Sequence, residues 1–191
     1  MMMPIIARHA LLHALPKNGV GAEIGVWQGA FSADLLRVAK PRRLHLIDPW
    51  RVGSGDKSAA WYGSSTKTQA DMDAIHDRVR QKFAAQIREE RVLIDRRPSG
   101  EALMSLASAS LDWVYIDGDH THEATLADLQ TAMQKVRPGG LISGDDYGDR
   151  GRDWFRNGVT LALHEFLHET KGRTWLTFLM DGQFAIQNGA Q

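Results

Sequence analysis

An alternation that runs through most of this chain, and then stops, constrains its fold more than any other feature. Five short apolar bursts, "GAEIGV" (21–26), "RLHLID" (43–48), "RVLIDR" (91–96), "LDWVYID" (111–117) and "GLISGDD" (140–146), have strand length. Between them lie segments 31–40, 69–87, 99–108 and 122–136, where apolar residues recur three or four apart, as on one face of a helix. Strands and helices in turn imply a parallel sheet covered by helices on both faces. After a further helical segment at 158–169 the pattern changes. "TWLTFLM" (174–180) and "QFAIQ" (183–187) are two strands joined by Asp181 and Gly182, the strongest two-residue hairpin signal. The expected sheet is therefore mostly parallel and ends in an antiparallel hairpin. The N-terminal "MMMPIIARHALLHALPKNG" reads as a first amphipathic helix, its apolar run interrupted by Arg8, His9 and His13. At 191 residues the chain has material for one sizeable core, so residues 1–191 are expected to form a single domain.

Charge and cysteine content exclude several functions. Lys plus Arg equals Asp plus Glu at 23 each, which leaves no basic field to attract a phosphate backbone or an anionic membrane surface. Nucleic acid and membrane are accordingly not expected as partners. The chain has no cysteine, so disulfides, thiolate metal sites and a cysteine nucleophile are all absent, and a reducing, cytoplasmic setting is expected. No apolar run approaches the ~20 residues that span a bilayer. One stretch, 51–68, is polar, rich in Gly and Ser, and carries Trp61 and Tyr62. A loop that long in a compact domain reads either as a lid or acceptor-binding insertion or as a surface insertion.

In open parallel sheets ligands bind beyond the carboxyl ends of the strands. The first strand runs into "EIGVWQG", which places Glu23, Gly25 and Gly29 in the pattern E-x-G-x-x-x-G just before a helix. Glycines there let the backbone approach a ligand, and the helix start offers free N–H groups; a tight structural turn reads equally well. The second strand ends in "LIDPW", where Asp48 is placed to accept hydrogen bonds from both hydroxyls of a ribose.

"GAEIGVWQGAFSADLL", "LHLIDPW", "VYIDGDHTHEATLADL" and "VRPGGLISGDDY" together resemble the class I S-adenosylmethionine-dependent methyltransferases, in particular the small-molecule and sugar O-methyltransferase-like group. The resemblance covers roughly residues 19–170. It implies an α/β, Rossmann-like sheet of seven strands in the order 3-2-1-4-5-7-6, with the seventh antiparallel and helices on both faces. It also implies that Glu23, Gly25 and Gly29 line the methionine end of the cofactor, that Asp48 binds its ribose, and that Arg97 and Ser99 lie near the adenine. "DRRPSGEA" departs from the family's usual Gly-Asp or Gly-Pro step, and Ser99 reads alternatively as a helix cap. Asp117 belongs with the cofactor residues as well.

The fourth strand ends at Asp117 and the fifth at Asp145 and Asp146, so adjacent strands would bring three carboxylates to one rim. Like charges that close need neutralising, and hard oxygen ligands of this kind suit Mg²⁺. In the metal-dependent members that this chain resembles, the acids matching Asp117, Asp145 and Asp146 bind the metal and the one matching Asp119 is the candidate base. His120 is an equal candidate, because an imidazole titrates near pH ~6.5. The other readings are a metal-independent enzyme, in which the acids orient loops and Asp119 and His122 cap the following helix, and a non-catalytic protein that binds the cofactor. The expected activity is methyl transfer to a hydroxyl of a small sugar-like or phenolic acceptor, with Trp61, Tyr62, Tyr147 and Trp154 as candidate pocket residues. Homo-oligomerisation stays open.

A second motif points to different chemistry. "HEFLH" (164–168) matches H-E-x-x-H, in which two His at i and i+4 share a helix face, as in zinc metalloproteases. A third ligand would have to come from Glu169 or Asp181. The alternative reading is a solvated helix face.

Overall fold

A computed structural model describes residues 3–52, 68–148 and 157–189. The segment 53–67, and with it Trp61, Tyr62 and most of the expected lid, lies outside the described residues, as does Trp154. The elements, in chain order, are α1 (Met3–Ala14), β1 (Val20–Ile24), α2 (Ala30–Asp34, continued by a π-helical turn Leu35–Ala39), β2 (Arg43–Ile47), α3 (Gln69–Lys82) and α4 (Ala84–Arg88). They continue with β3 (Val92–Asp95), α5 (Ser99–Met104), β4 (Leu111–Ile116), α6 (His122–Lys135), β5 (Val136–Gly144), α7 (Gly158–Glu169), β6 (Thr174–Met180) and β7 (Gln183–Asn188).

The seven strands form one sheet in the order β3-β2-β1-β4-β5-β7-β6. Strands β1 to β5 pair in parallel and β7 runs antiparallel to both β5 and β6, so the predicted order and the antiparallel ending are borne out. At the hairpin both Asp181 (φ 45) and Gly182 (φ 85) are left-handed, as the tightest two-residue turn requires.

Alternation along the strands makes the two cores. In β4, Val114 and Ile116 face a layer that includes Leu103, Leu129, Ala132, Leu163 and Phe166 of α5, α6 and α7. Trp113 and Tyr115 face the opposite layer, where α1, α2 and α3 bring Leu11, Leu35, Met72 and Val79. Successive side chains of a strand point to opposite faces, so a strand apolar throughout, such as β4, belongs between two helical layers.

Two boundaries differ from the sequence reading. The helix expected over 69–87 breaks at Phe83 (φ −107, ψ 19), which lets that ring turn inward and become buried. Strand β5 begins at Val136 rather than at Gly140. Its register against β4 shifts between Leu111 and Trp113, so the Arg-Pro-Gly-Gly stretch lies within the strand as an irregularity, without breaking it.

Candidate active site

The first two strand ends are locked together by one carboxylate. Asp48 is 3% exposed. Its Oδ2 accepts from the backbone N–H of Val26 at 3.0 Å and of Trp27 at 2.9 Å, and its Oδ1 accepts from the N–H of Trp50 at 2.7 Å. The Trp50 indole donates to the Trp27 carbonyl at 2.9 Å. The loops after β1 and β2 thus hang on a single acid, with three of its lone pairs used. Burial pushes the Asp48 pKa up against these hydrogen bonds from Trp27, Trp50 and Val26. Arg96 extends the lock: its guanidinium donates to the Trp50 carbonyl at 3.1 Å and pairs with Asp73 of α3.

The glycines of the first loop have reasons in the chain itself. Gly25 sits at φ +84, where a Cβ would overlap the carbonyl oxygen of Asp117, so β1 and β4 approach there as backbone on backbone. Gly29 has φ +67 and a Cβ would press on the Phe83 ring. The close approach expected of a cofactor is thus matched by close approaches within the fold. Glu23, in β1, is different. It is 1% exposed and its Oε2 has no hydrogen-bond partner among the described residues. Burial, opposed by Ser32 and reinforced by the charges of Asp117 and Asp48, raises its pKa to about 8. A buried carboxyl with one oxygen unpaired at the end of the central strands fits a ligand that brings an ammonium group, as the amino-acid end of S-adenosylmethionine does.

The residues expected at the adenine are turned otherwise. Arg97 donates to both Asp95 oxygens, at 2.8 and 2.5 Å, and to Ser105 Oγ at 3.0 Å, and it is exposed. Ser99 begins α5 with no side-chain cap bond recorded for that helix start. Its hydroxyl instead hydrogen-bonds Asp128, a buried acid of α6 that burial pushes up to about 6 despite this bond.

At the ends of β4 and β5 the acids form two groups. Asp145 is turned inward, its side chain 10% exposed. Its Oδ1 accepts from the Asp146 N–H at 2.8 Å and from Gln183 Nε2, while Oδ2 is paired with Arg8 of α1. Gln183 is itself held by the Tyr115 hydroxyl at 3.0 Å. Asp117 and Asp146 are joined by His120: Nε2 lies 3.4 Å from Asp117 Oδ1 and Nδ1 lies 3.1 Å from Asp146 Oδ2. Burial disfavours the imidazolium, but Asp117, then Asp146 and Asp145, outweigh it and raise the His120 pKa.

The three acids expected to share Mg²⁺ are therefore not brought together as one ligand set. Among the described residues, the group whose ligand atoms lie within 4.8 Å of one another is Asp117, His120 and Asp146. Asp145 stands outside it, with both oxygens engaged elsewhere. The residues present do not fit the expected metal triad. Asp119 is exposed and its Oδ1 accepts from the Thr121 N–H at 2.9 Å, an arrangement that shapes the turn before α6. The cap of α6 is Thr121, so neither Asp119 nor His122 takes the capping role; His122 pairs with Glu165 at 2.7 Å.

The H-E-x-x-H helix is α7. His164 Nε2 lies 3.1 Å from the Tyr147 hydroxyl, Glu165 is bound to His122, and no third ligand joins them among the described residues. Arg8 and Gln183, which engage the acids of the candidate site, and the buried Asp128 beneath Ser99 were missed by the sequence reading. The available signals were an arginine inside an apolar helix face, a glutamine at a strand start, and an acid among the apolar positions of α6.

Comparison with known proteins agrees with this architecture. A family model described as a methyltransferase domain matches residues 22–147, more than half of the chain. Among solved structures, a protein of Clostridium thermocellum assigned as an rRNA methylase has a TM-score of 0.66 at 14% identity, covering 100% of this chain and 98% of that one. One of Klebsiella pneumoniae assigned as an O-methyltransferase has 0.63 at 19%, covering 97% and 80%. One of Streptococcus mutans assigned as a methyltransferase, solved in complex with SAH, has 0.61 at 12%, covering 97% of each chain. No curated protein matches the sequence. The chain belongs to the methyltransferase-domain family and is a class I S-adenosylmethionine-dependent methyltransferase. No helix among the described residues is long and apolar enough to cross a membrane.

Proposed function

We propose that the protein transfers a methyl group to a hydroxyl of a small molecule, with His120 as the general base. The observation that carries this reading is the position of His120 between Asp117 and Asp146 at the carboxyl ends of β4 and β5. Those strand ends are where an open parallel sheet places its chemistry. Asp117 orients one ring nitrogen, as the acid of a catalytic dyad does, and the nitrogen now facing Asp146 is the one a substrate hydroxyl would reach. When bound, S-adenosylmethionine supplies an electrophilic methyl group on a sulfonium. His120 would take the proton that the acceptor hydroxyl loses on methylation, and the cofactor would supply the methyl group and depart as its thioether. His120 is held between two acids at the strand ends, whereas Asp119 is occupied at the turn and exposed.

Charge balance supports the cofactor assignment. Glu23, at about 8, holds its proton near neutrality, which leaves Asp117, Asp145 and Asp146 facing the cations Arg8 and, when protonated, His120. The surplus is negative, and the cofactor carries a net positive charge. Asp48 retains one lone pair for a ribose hydroxyl beside its three backbone donors. The balanced charge of 23 basic against 23 acidic residues favours a small acceptor over RNA.

Screening hydroxylated sugars and phenols with methyl-labelled cofactor tests the proposal, with His120→Ala as the control. Label on an acceptor oxygen, lost with His120→Ala, is the expected result. Label delivered to an amine or to RNA would refute it.

A further inference from the structure

The acids at the ends of β4 and β5 pose a charge problem that the chain solves from its own N-terminal helix. Arg8 Nη2 lies 3.5 Å from Asp117 Oδ2, is ion-paired with Asp145 Oδ2, and its guanidinium sits 4.9 Å from the centre of the Phe31 ring. A guanidinium stacked on an aromatic face and shared by two carboxylates is a site built for that cation. Leu11 and Leu12, one turn further along α1, are buried, as is Leu15 just beyond the helix, so the helix carrying Arg8 is seated in the core. Gln183, the Asp146 N–H and Arg8 together use both oxygens of Asp145.

We infer that Arg8 is the resident counter-cation of the Asp117–Asp145 pair and takes the place a divalent metal would occupy, so that this rim works without Mg²⁺. A metal on Asp145 Oδ2 would have to expel Arg8 from Phe31 and both acids, or lie beside a fixed positive charge that repels it. The remaining candidate group does not supply an equivalent site. His120 there spends both ring nitrogens on Asp117 and Asp146, and a metal could take only one of them. Arg8 is thus a positioning residue: it fixes the two acids, and through Asp117 the ring of His120. The inference rests on the methyltransferase reading for the identity of the site, but its metal titration needs neither turnover nor acceptor.

Mn²⁺, as a paramagnetic stand-in for Mg²⁺, is titrated into the full chain and free ion is followed by electron paramagnetic resonance. The native protein should leave Mn²⁺ free at sub-millimolar concentrations, and excess EDTA should change neither its melting temperature nor its binding of S-adenosylhomocysteine. Arg8→Met should gain a single Mn²⁺ site, roughly tenfold or more tighter than anything on the parent, because removing the cation leaves two facing carboxylates. Adding Asp145→Asn to Arg8→Met should abolish that site, and Arg8→Lys, which keeps the charge, should gain no Mn²⁺ site. Stoichiometric Mn²⁺ on the native chain, lost with Asp145→Asn, would overturn the inference and leave the methyltransferase reading standing. So would a folded Arg8→Met protein that binds no Mn²⁺ and holds its melting temperature, since the acids would then need no cation.

Discussion

Asp48 and Asp117 end the two strands that flank β1, and they are held in opposite ways. Asp48 takes its hydrogen bonds from three backbone N–H groups, which cannot move without moving the loops themselves. Asp117 takes its stabilisation from two side chains, Arg8 and His120, which have rotamers and, for His120, a proton to lose. Burial pushes both pKa values up, so environment alone does not separate them. The partners do. A carboxylate tied to backbone fixes geometry, whereas one tied to ionisable side chains can change its balance during a reaction.

The largest expected effect breaks the rigid side. Asp48→Ala would orphan three backbone N–H groups, two of them in buried hydrogen bonds, and should cost about 3 kcal/mol or more of stability. Gly25→Ala, at φ +84 against the Asp117 carbonyl, should cost a similar amount or prevent folding. Urea denaturation checks both. If Asp48→Ala kept its stability and lost only cofactor affinity, the acid would be a ribose ligand first and the contrast with Asp117 would dissolve.

The next effect probes the adjustable side. His120→Ala should lower kcat by ~10²–10⁴, the range for removing a positioned base, with the affinity for S-adenosylhomocysteine little changed. Asp119→Asn should cost far less. Equal losses from the two variants would return the base assignment to the open state in which the motif "DGDH" leaves it.

Glu23 lies between the two acids and gives a pH signature. Its folded pKa, about 8, is above the 4.5 of a free Glu, so the folded state binds this proton more tightly than the unfolded state does. The stability this confers is fully present below about pH 4.5 and is lost as pH rises through about 8, at roughly 1 kcal/mol per pH unit. Glu23→Gln should flatten that part of the profile. Binding a ligand ammonium would favour the carboxylate, so cofactor binding at pH 7 should release a proton. Calorimetry in buffers of different ionisation enthalpy should detect it, and buffer-independent heats would remove Glu23 from the methionine end.

The sheet order and hairpin were legible because they rest on local signals: strand-length apolar runs, helical period, and Asp181-Gly182. Most residues of the site were legible by type and place, since strand ends are where such folds do chemistry. Their partners were not. Arg8 lies 109 residues from Asp117 and 137 from Asp145, and nothing local in an apolar helix says which strand end an arginine will meet. The metal expectation and the Arg8 proposal part at that point: three acids at adjacent strand ends imply a cation, and the sequence alone does not say that α1 brings an arginine to two of them. Likewise "EIGVWQG" showed that glycine was needed, but not that the close neighbour of Gly25 is the Asp117 backbone.

The smallest effect is expected at Arg97, and it tests how far the rigid side extends. The family resemblance places Arg97 near the adenine, yet its guanidinium spans Asp95 and Ser105 and is exposed. The observed pairing lowers the Asp95 pKa through the Arg97 hydrogen bonds, but exposed pairs of this kind contribute little to stability. Arg97→Ala should therefore change S-adenosylhomocysteine affinity less than about twofold and leave the urea midpoint nearly unmoved. Ser99→Ala is the sharper neighbour, because it removes a hydrogen bond from Asp128, a buried acid already at about 6, and should raise that pKa further. If Arg97→Ala weakens cofactor binding tenfold while Ser99→Ala does not, Arg97 must leave Asp95 for the ligand. The β3 end would then belong with Asp117, among the acids and bases that rearrange, rather than with the fixed frame around Asp48.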